Sequence, residues 1–246
     1  MQRHISVPGL GPVLISKISN ARKLKIRIHP EKGILVTIPK RSSFREGEKF
    51  VLKNIEWIND KIGLIHTQNN ENKFNQDSIF ITRNSKLHFD VDTRVDIKAI
   101  IKGFDLTILY NPLKIDFQAQ IVQDFIKENI LRLLKKEAKL VISKRYSYLA
   151  SRHQLHASKL SFGKAATRWG TCNTKNEIRL SCRLLLLPDH LIDYVVLNEL
   201  SHLVHKNNGD EFHQLLNSLT NGHSAALNKE LRTHSIHIKP GNYKFE

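Results

Sequence analysis

The feature that most constrains this chain is a change of hydrophobic period near residue 120. Before that point apolar and polar residues tend to alternate, and after it apolar residues recur at helical spacing. In "KLKIRIHPEKGILVTIPK", Leu24, Ile26 and Ile28 fall on one side and Lys23, Lys25 and Arg27 on the other, as in a half-buried strand. "HPEKG" at 29–33 reads as a turn in which Gly33 takes positive φ, so this stretch is a hairpin with one strongly basic face. "GPVLISKIS" reads as a further strand. "SSFREGEKFVLKNIEWINDKIGLI" then reads as one helix, with Ser43 as N-cap, Glu46 at the capping-box position and Phe50, Ile55, Trp57 and Ile58 on its apolar side.

The polar, Asn-rich run "QNNENKFNQD" at 68–77 is the best candidate for a loop or boundary. "SIFITR", "KLHFDVD", "VDIKAIIKG" and "FDLTILY" read as short antiparallel strands, with a turn at Asn111-Pro112 near their end. From Gln120 the pattern is helical, with apolar residues at 121, 122, 125, 126, 130, 131, 133, 134 and 138. "ATRWGTCN" and "EIRLSCRLLL" are strand-like around a turn at "NTKN". "DHLIDYVVLNELSHLVHK" is a helix with Asp189 as its cap, and "GDEFHQLLNSL" a shorter one. The expected class is α+β, with a β-rich region carrying the basic hairpin and one helix at 1–120. Helices packed on a small sheet follow at 121–246.

The net charge is +16 with a sequence pI near 9.9. Residues 1–53 hold 12 Lys/Arg against 3 Asp/Glu and residues 121–168 hold 11 against 3, while the rest is close to neutral. These two segments are either solvated surface or docking faces for nucleic acid or another polyanion. The two cysteines, Cys172 and Cys182, form no CxxC pair, so no disulfide framework is expected. The longest Leu run is the four residues 184–187, far short of a membrane span, and "MQRHISVPGLGPVLISK" has no continuous apolar core of a secretory signal. The expectation is a cytoplasmic protein with no membrane partner.

The chemistry concentrates in "VVLNELSHLVHKNNGDEFHQLL". Glu199 and His202 lie three residues apart and Asn198 and His202 four apart, so all three project from one side of a helix. Metal-dependent hydrolases use this arrangement: two ligands one turn apart hold the ion, and the Glu between them moves the proton of its bound water. Usually both ends are His; here the first is Asn198, whose amide oxygen is a hard, neutral donor and a poor zinc ligand. A Glu followed by a His also occurs as a solvated polar stripe, but the apolar "LIDYVVL" before it marks a buried helix, and burying both groups requires partners.

The stretch "SFGKAATRWGTCNTKNEIRLSCRLLLLPDHLIDYVVLNELSHLVHKNNGDEF" resembles the YgjP-like metallopeptidase domain family, through the WGSC-like Arg168-Trp169-Gly170-Thr171-Cys172, a strand ending in Pro and the IDYVV-type helix. "ARKLKIRIHPEKGILVTIPK" and "FVLKNIEWI" also fall where that family has them. The resemblance implies a zincin-like C-terminal unit, zinc as cofactor and Glu199 as the catalytic glutamate. It places the first ligand at Asn198, the second at His202 and the third, from an Asn-His pair further along the helix, at Asn208. Two of three ligand positions therefore depart from His to Asn. His205, His213, His223 and Cys172 are the replacement donors near in sequence. Arg168 binds a substrate anion, or pairs with Asp193 or Glu199, and Trp169 packs beneath the motif helix. Cys172 has a structural or substrate-side role.

Three functions follow. The first is a zinc hydrolase, most naturally a peptidase, with catalysis weakened or lost through the two Asn. The second is an inactive module that binds nucleic acid or another polyanion. The third, an activity also attributed to relatives in the family, is nucleotide pyrophosphohydrolysis at the same site with Mg²⁺, which suits Asn and Glu oxygens.

Overall fold

The computed structural model describes residues 1–29 and 33–244, and for 64–71 the backbone alone. The chain forms two compact units, Met1–Asn72 and Lys73–Glu246. Their boundary lies inside the Asn-rich run at 68–77, not at residue 120 where the hydrophobic period changes.

In the first unit, strands β1 (Gln2–Val7), β2 (Gly11–Ile18), β3 (Lys25–His29) and β4 (Gly33–Pro39) form a sheet ordered β1-β2-β4-β3. The inner strands β2 and β4 run parallel, and each outer pair is antiparallel. The β3–β4 hairpin has the expected alternation: Lys25 and Arg27 are exposed, Ile26 and Ile28 half-buried, and Gly33 takes φ +69°. The centre of the expected "HPEKG" turn, residues 30–32, lies outside the described residues. Ser43 caps helix α1 (Phe44–Lys53) in a full capping box with Glu46.

The single helix expected here is broken at Asn54. Its side-chain amide donates to the Phe50 carbonyl at 2.7 Å, satisfying a terminal acceptor, and α2 (Ile55–Glu71) starts anew. The break leaves Trp57 46% exposed, off the apolar side, while Val51 and Ile58 are fully buried against Val13, Ile15, Val36 and Ile38.

In the second unit a five-stranded sheet holds β5 (Phe80–Ile81), β6 (Lys86–Val91), β7 (Ile97–Lys102), β8 (Asp105–Tyr110) and β12 (Gly241–Asn242) in the order β12-β5-β6-β8-β7. The expectation of an antiparallel run is corrected: β6 and β8 are parallel. The tight β7–β8 turn at Gly103 (φ +60°) puts β7 on the outer edge, and β8 returns beside β6. Helix α3 (Gln120–His153) buries Ile126, Ile130, Leu133 and Leu134 in the same core as Phe80, Leu106 and Ile108. That shared core places β5–β8 with α3 despite the change of period between them. The buried Glu137 carboxylate on α3 accepts from the Thr82 and Ser85 hydroxyls and the Asn84 N–H, fixing the β5–β6 turn on the helix.

A second sheet of this unit, β9 (Lys159–Gly163), β10 (Gly170–Cys172) and β11 (Glu177–Ser181), is ordered β10-β11-β9. The expected turn joins β10 to β11, with the Asn173 side chain accepting from the Lys175 and Glu177 N–H groups. Only the first half of "EIRLSCRLLL" is strand. Cys182–Leu186 is a 3₁₀ turn that buries three of its leucines, where a strand would turn alternate ones outward. Helices α4 (Asp189–Val204), α5 (Asp210–Leu219) and α6 (Ser224–Leu231) complete the unit, and the expected α+β class is the one found.

Candidate active site

Helix α4 carries Asn198, Glu199 and His202 and packs on β10 and β11. Its N-cap is Pro188, not Asp189. The Asp189 carboxylate is instead drawn away by two arginines: Arg83 donates to it, and Arg145 bridges it at 2.6 Å to Asp193, which it holds through two bonds of 2.7 Å. Charge-assisted, partly bidentate bonds of this kind fix orientation as well as position. They anchor the first turn of α4 to α3 and to the loop after β5, and set where the motif residues point.

Glu199 is 6% exposed, and among the described residues its Oε2 is one of two buried side-chain polar atoms without a hydrogen-bond partner. Burial raises its carboxyl from the ordinary value of 4.5 to about 7, because desolvation disfavours the charged form. Gly170 on β10 makes this position possible: a Cβ there would lie 2.7 Å from both Cγ and Oε1 of Glu199. The glycine of the WGSC-like stretch thus lets strand backbone approach the glutamate closely.

His202 is held from two directions. Its ring stacks on Phe212 of α5 with centroids 4.3 Å apart and 22° between planes. Its Nδ1 lies 3.0 Å from the His205 carbonyl, which can only accept, so Nδ1 is the donor of this pair. A histidine that serves as a ligand or acceptor is commonly oriented this way by its second nitrogen.

Asn198 and Asn208 line one cavity of about 880 Å³, together with Tyr194, Asp210, His213 and Arg232. Asn208 is not further along the motif helix: α4 ends at Val204, and Asn208 lies in the connector before α5. The fold therefore brings together two positions, ten residues apart, that the family resemblance assigned to metal ligands.

The other expected residues separate. Cys172 is half-buried on β10, within electrostatic range of Glu199, and the Lys206 ammonium donates to its sulfur at 3.7 Å. Burial raises its thiol, opposed by Lys206 and reinforced by Glu199. Arg168 is exposed and borders a different concavity of about 460 Å³, shared with Gly170, Thr171 and Arg179. It pairs with neither Asp193, which Arg145 holds, nor Glu199. Trp169 is half-buried against the core of the unit. The His205 ring lies 3.3 Å from Glu211, and His223 is exposed at the start of α6. Of the replacement donors, His213 borders the Asn198–Asn208 cavity.

Sequence reasoning missed the supports: Arg145, Arg83 and Phe212. Phe212 left a local trace, as the apolar residue opening "GDEFHQLL". The two arginines left none, because their partners lie 44 or more residues away.

A buried glutamate three residues from an oriented histidine, on a helix laid against a small sheet, keeps part of the motif of metal-dependent hydrolases, in which a second histidine stands where this chain has Asn198. A family model described as the YgjP-like metallopeptidase domain matches residues 22–234, and the chain belongs to that family. No curated protein and no solved structure matches it. The donors do not fit the zinc such a domain implies. The positions that the resemblance assigns to ligands hold one imidazole and two amides, and among the described residues no three His, Cys, Asp or Glu side chains gather as a metal site. No helix among the described residues is long and apolar enough to cross a membrane.

Proposed function

We propose that this chain is a metallopeptidase-family hydrolase that keeps the proton-transfer half of the site while its affinity for zinc is weakened. The observation that carries the reading is the shared cavity of Asn198 and Asn208. Two amides from different parts of the fold line it at positions where the resemblance expects imidazoles. Glu199 and His202 are not among its lining residues: Glu199 lies against Gly170 of β10, and His202 stacks on Phe212, which does line the cavity. Glu199 is the catalytic residue of this reading. Its carboxylate, with one oxygen free of protein partners, takes a proton from an attacking water and returns it to the leaving amine of a peptide. His202 stacks on Phe212, which lines the cavity bordered by α4, α5 and α6, and that cavity receives the substrate.

The test is zinc titration by calorimetry and elemental analysis of the full chain, beside Asn198→His/Asn208→His. The parent is expected to bind zinc weakly and the double variant stoichiometrically, with peptide hydrolysis that disappears in a further Glu199→Gln change. A parent that binds one zinc as tightly as the double variant refutes the reading, and His213 and Cys172 become the donors to replace.

A second reading draws on the oxygen donors of the same cavity. Asp210 lies there with Asn198 and Asn208, a set suited to Mg²⁺, and Arg232 suits a phosphate. It predicts Mg²⁺-dependent pyrophosphate release from nucleoside triphosphates by the unmodified chain. Absence of release at saturating Mg²⁺ removes it.

A further inference from the structure

The excess charge of residues 121–168 is gathered in one place. Arg132, Lys135, Lys136 and Lys139 of α3 and Lys164 after β9 line a groove of about 430 Å³, and every lining residue is basic. The helix supplies two ridges, since Arg132 precedes Lys136 and Lys135 precedes Lys139 by one turn, about 6 Å of rise each. On the other side of the helix the buried Leu131, Leu133, Leu134 and Ala138 face the core, so the amphipathic pattern that places α3 also forces its cations outward together. The acid of this face, Glu128, is already engaged by Lys164 and, at 3.8 Å, by Arg132. Lys136 is steadied by donating to the Gly103 carbonyl at 2.7 Å, with its ammonium 5.3 Å from the centre of the Phe104 ring.

The positive field continues beyond the groove. Lys135, Lys164 and Arg183 all act on the buried Cys182 thiol, and Arg183 has a buried Nε with no hydrogen-bond partner among the described residues. Like charges held this close repel unless an anion joins them.

We propose that this groove binds the phosphate backbone of duplex nucleic acid, without reading sequence. A protein partner fits poorly, because interface cores are depleted in lysine and enriched in aromatic residues. A single strand fits less well, because its binding sites pair basic grooves with stacking aromatics, and no aromatic residue lines this one. Lysine and arginine side chains in a row are what phosphate contacts use.

The experiment is fluorescence anisotropy of the full chain with a labelled DNA duplex of about 20 base pairs, across salt concentrations. If all five cations engage phosphates, affinity falls about 500-fold between about 50 and 200 mM salt, a log–log slope of about −4.5. Arg132→Gln/Lys135→Gln/Lys139→Gln leaves two cations, and the fall shrinks to about 12-fold. Lys135→Gln alone, at an exposed position, reduces the slope by about 0.9 and keeps the question open to measurement should the triple variant not fold. Lys23→Gln/Lys25→Gln/Arg27→Gln removes the same charge from the β3 hairpin and is expected to leave affinity and slope unchanged.

Equal losses from the helix and hairpin variants would reduce the effect to bulk charge and overturn the proposal. Loss from the hairpin variant alone would move the site and do the same. Tighter binding to the single strand, equal competition by polyglutamate, or no binding at low salt would each overturn it as well.

Discussion

Replacing Glu199 by Gln should stabilise the metal-free protein in a way that depends on pH. The folded-state carboxyl is raised from 4.5 to about 7 by burial, whereas in the unfolded chain it keeps the ordinary value. Stability linked to this group is therefore fully present below about pH 4.5 and is lost as pH rises through about 7. The loss is about 3 kcal/mol at the alkaline limit. With 6% exposure there is little solvent screening to discount.

Glutamine is a near isostere of the protonated acid and does not titrate, so the two proteins should match near pH 4. The variant should be about 3 kcal/mol more stable at pH 8. The assay is urea unfolding with chelator present, following Trp169 fluorescence in a Trp57→Phe background, so that the signal comes from the second unit alone. A stability gap between the parent and the Glu199→Gln variant that stays constant from about pH 4.5 to 8 would refute the assignment of a buried, desolvated carboxylate. The gain at the expense of proton transfer would mark Glu199 as a residue kept for chemistry rather than stability.

Two further predictions concern the supports of the site. Gly170→Ala sets a Cβ 2.7 Å from the Glu199 carboxyl and should cost about 1–3 kcal/mol in the same urea assay, with most of the cost removed in a Glu199→Ala background. An equal cost in both backgrounds would mean that strand strain, not the glutamate, opposes the methyl group. Arg145→Ala leaves Asp189 and Asp193 without their shared partner and should destabilise the second unit by about 2–3 kcal/mol, with faster hydrogen exchange in the first turns of α4. Unchanged exchange there would refute the anchoring role.

What the sequence determined by itself is local. Alternation in Lys25–His29, the Ser43–Glu46 cap, the positive φ of Gly33, the helix α3 and the helix that carries Asn198, Glu199 and His202 all follow from short-range rules. Backbone period fixes side-chain direction, and a cap is satisfied within one turn. The Asn54 break lies at the edge of that reach, because an amide that bonds the carbonyl one turn back competes with continuing the helix.

Tertiary structure alone decided the rest. β6 pairs with β8 and not with β7, the strand that follows it, since hairpin closure at Gly103 commits β7 to the edge. Asp189 serves two arginines instead of the helix end because Arg83 and Arg145 arrive from elements far away in the chain. Gly170 meets Glu199, and Asn198 meets Asn208 across a cavity, only when β10, α4 and the connector before α5 have packed. Such contacts are set by packing between distant elements, whose geometry no local period encodes.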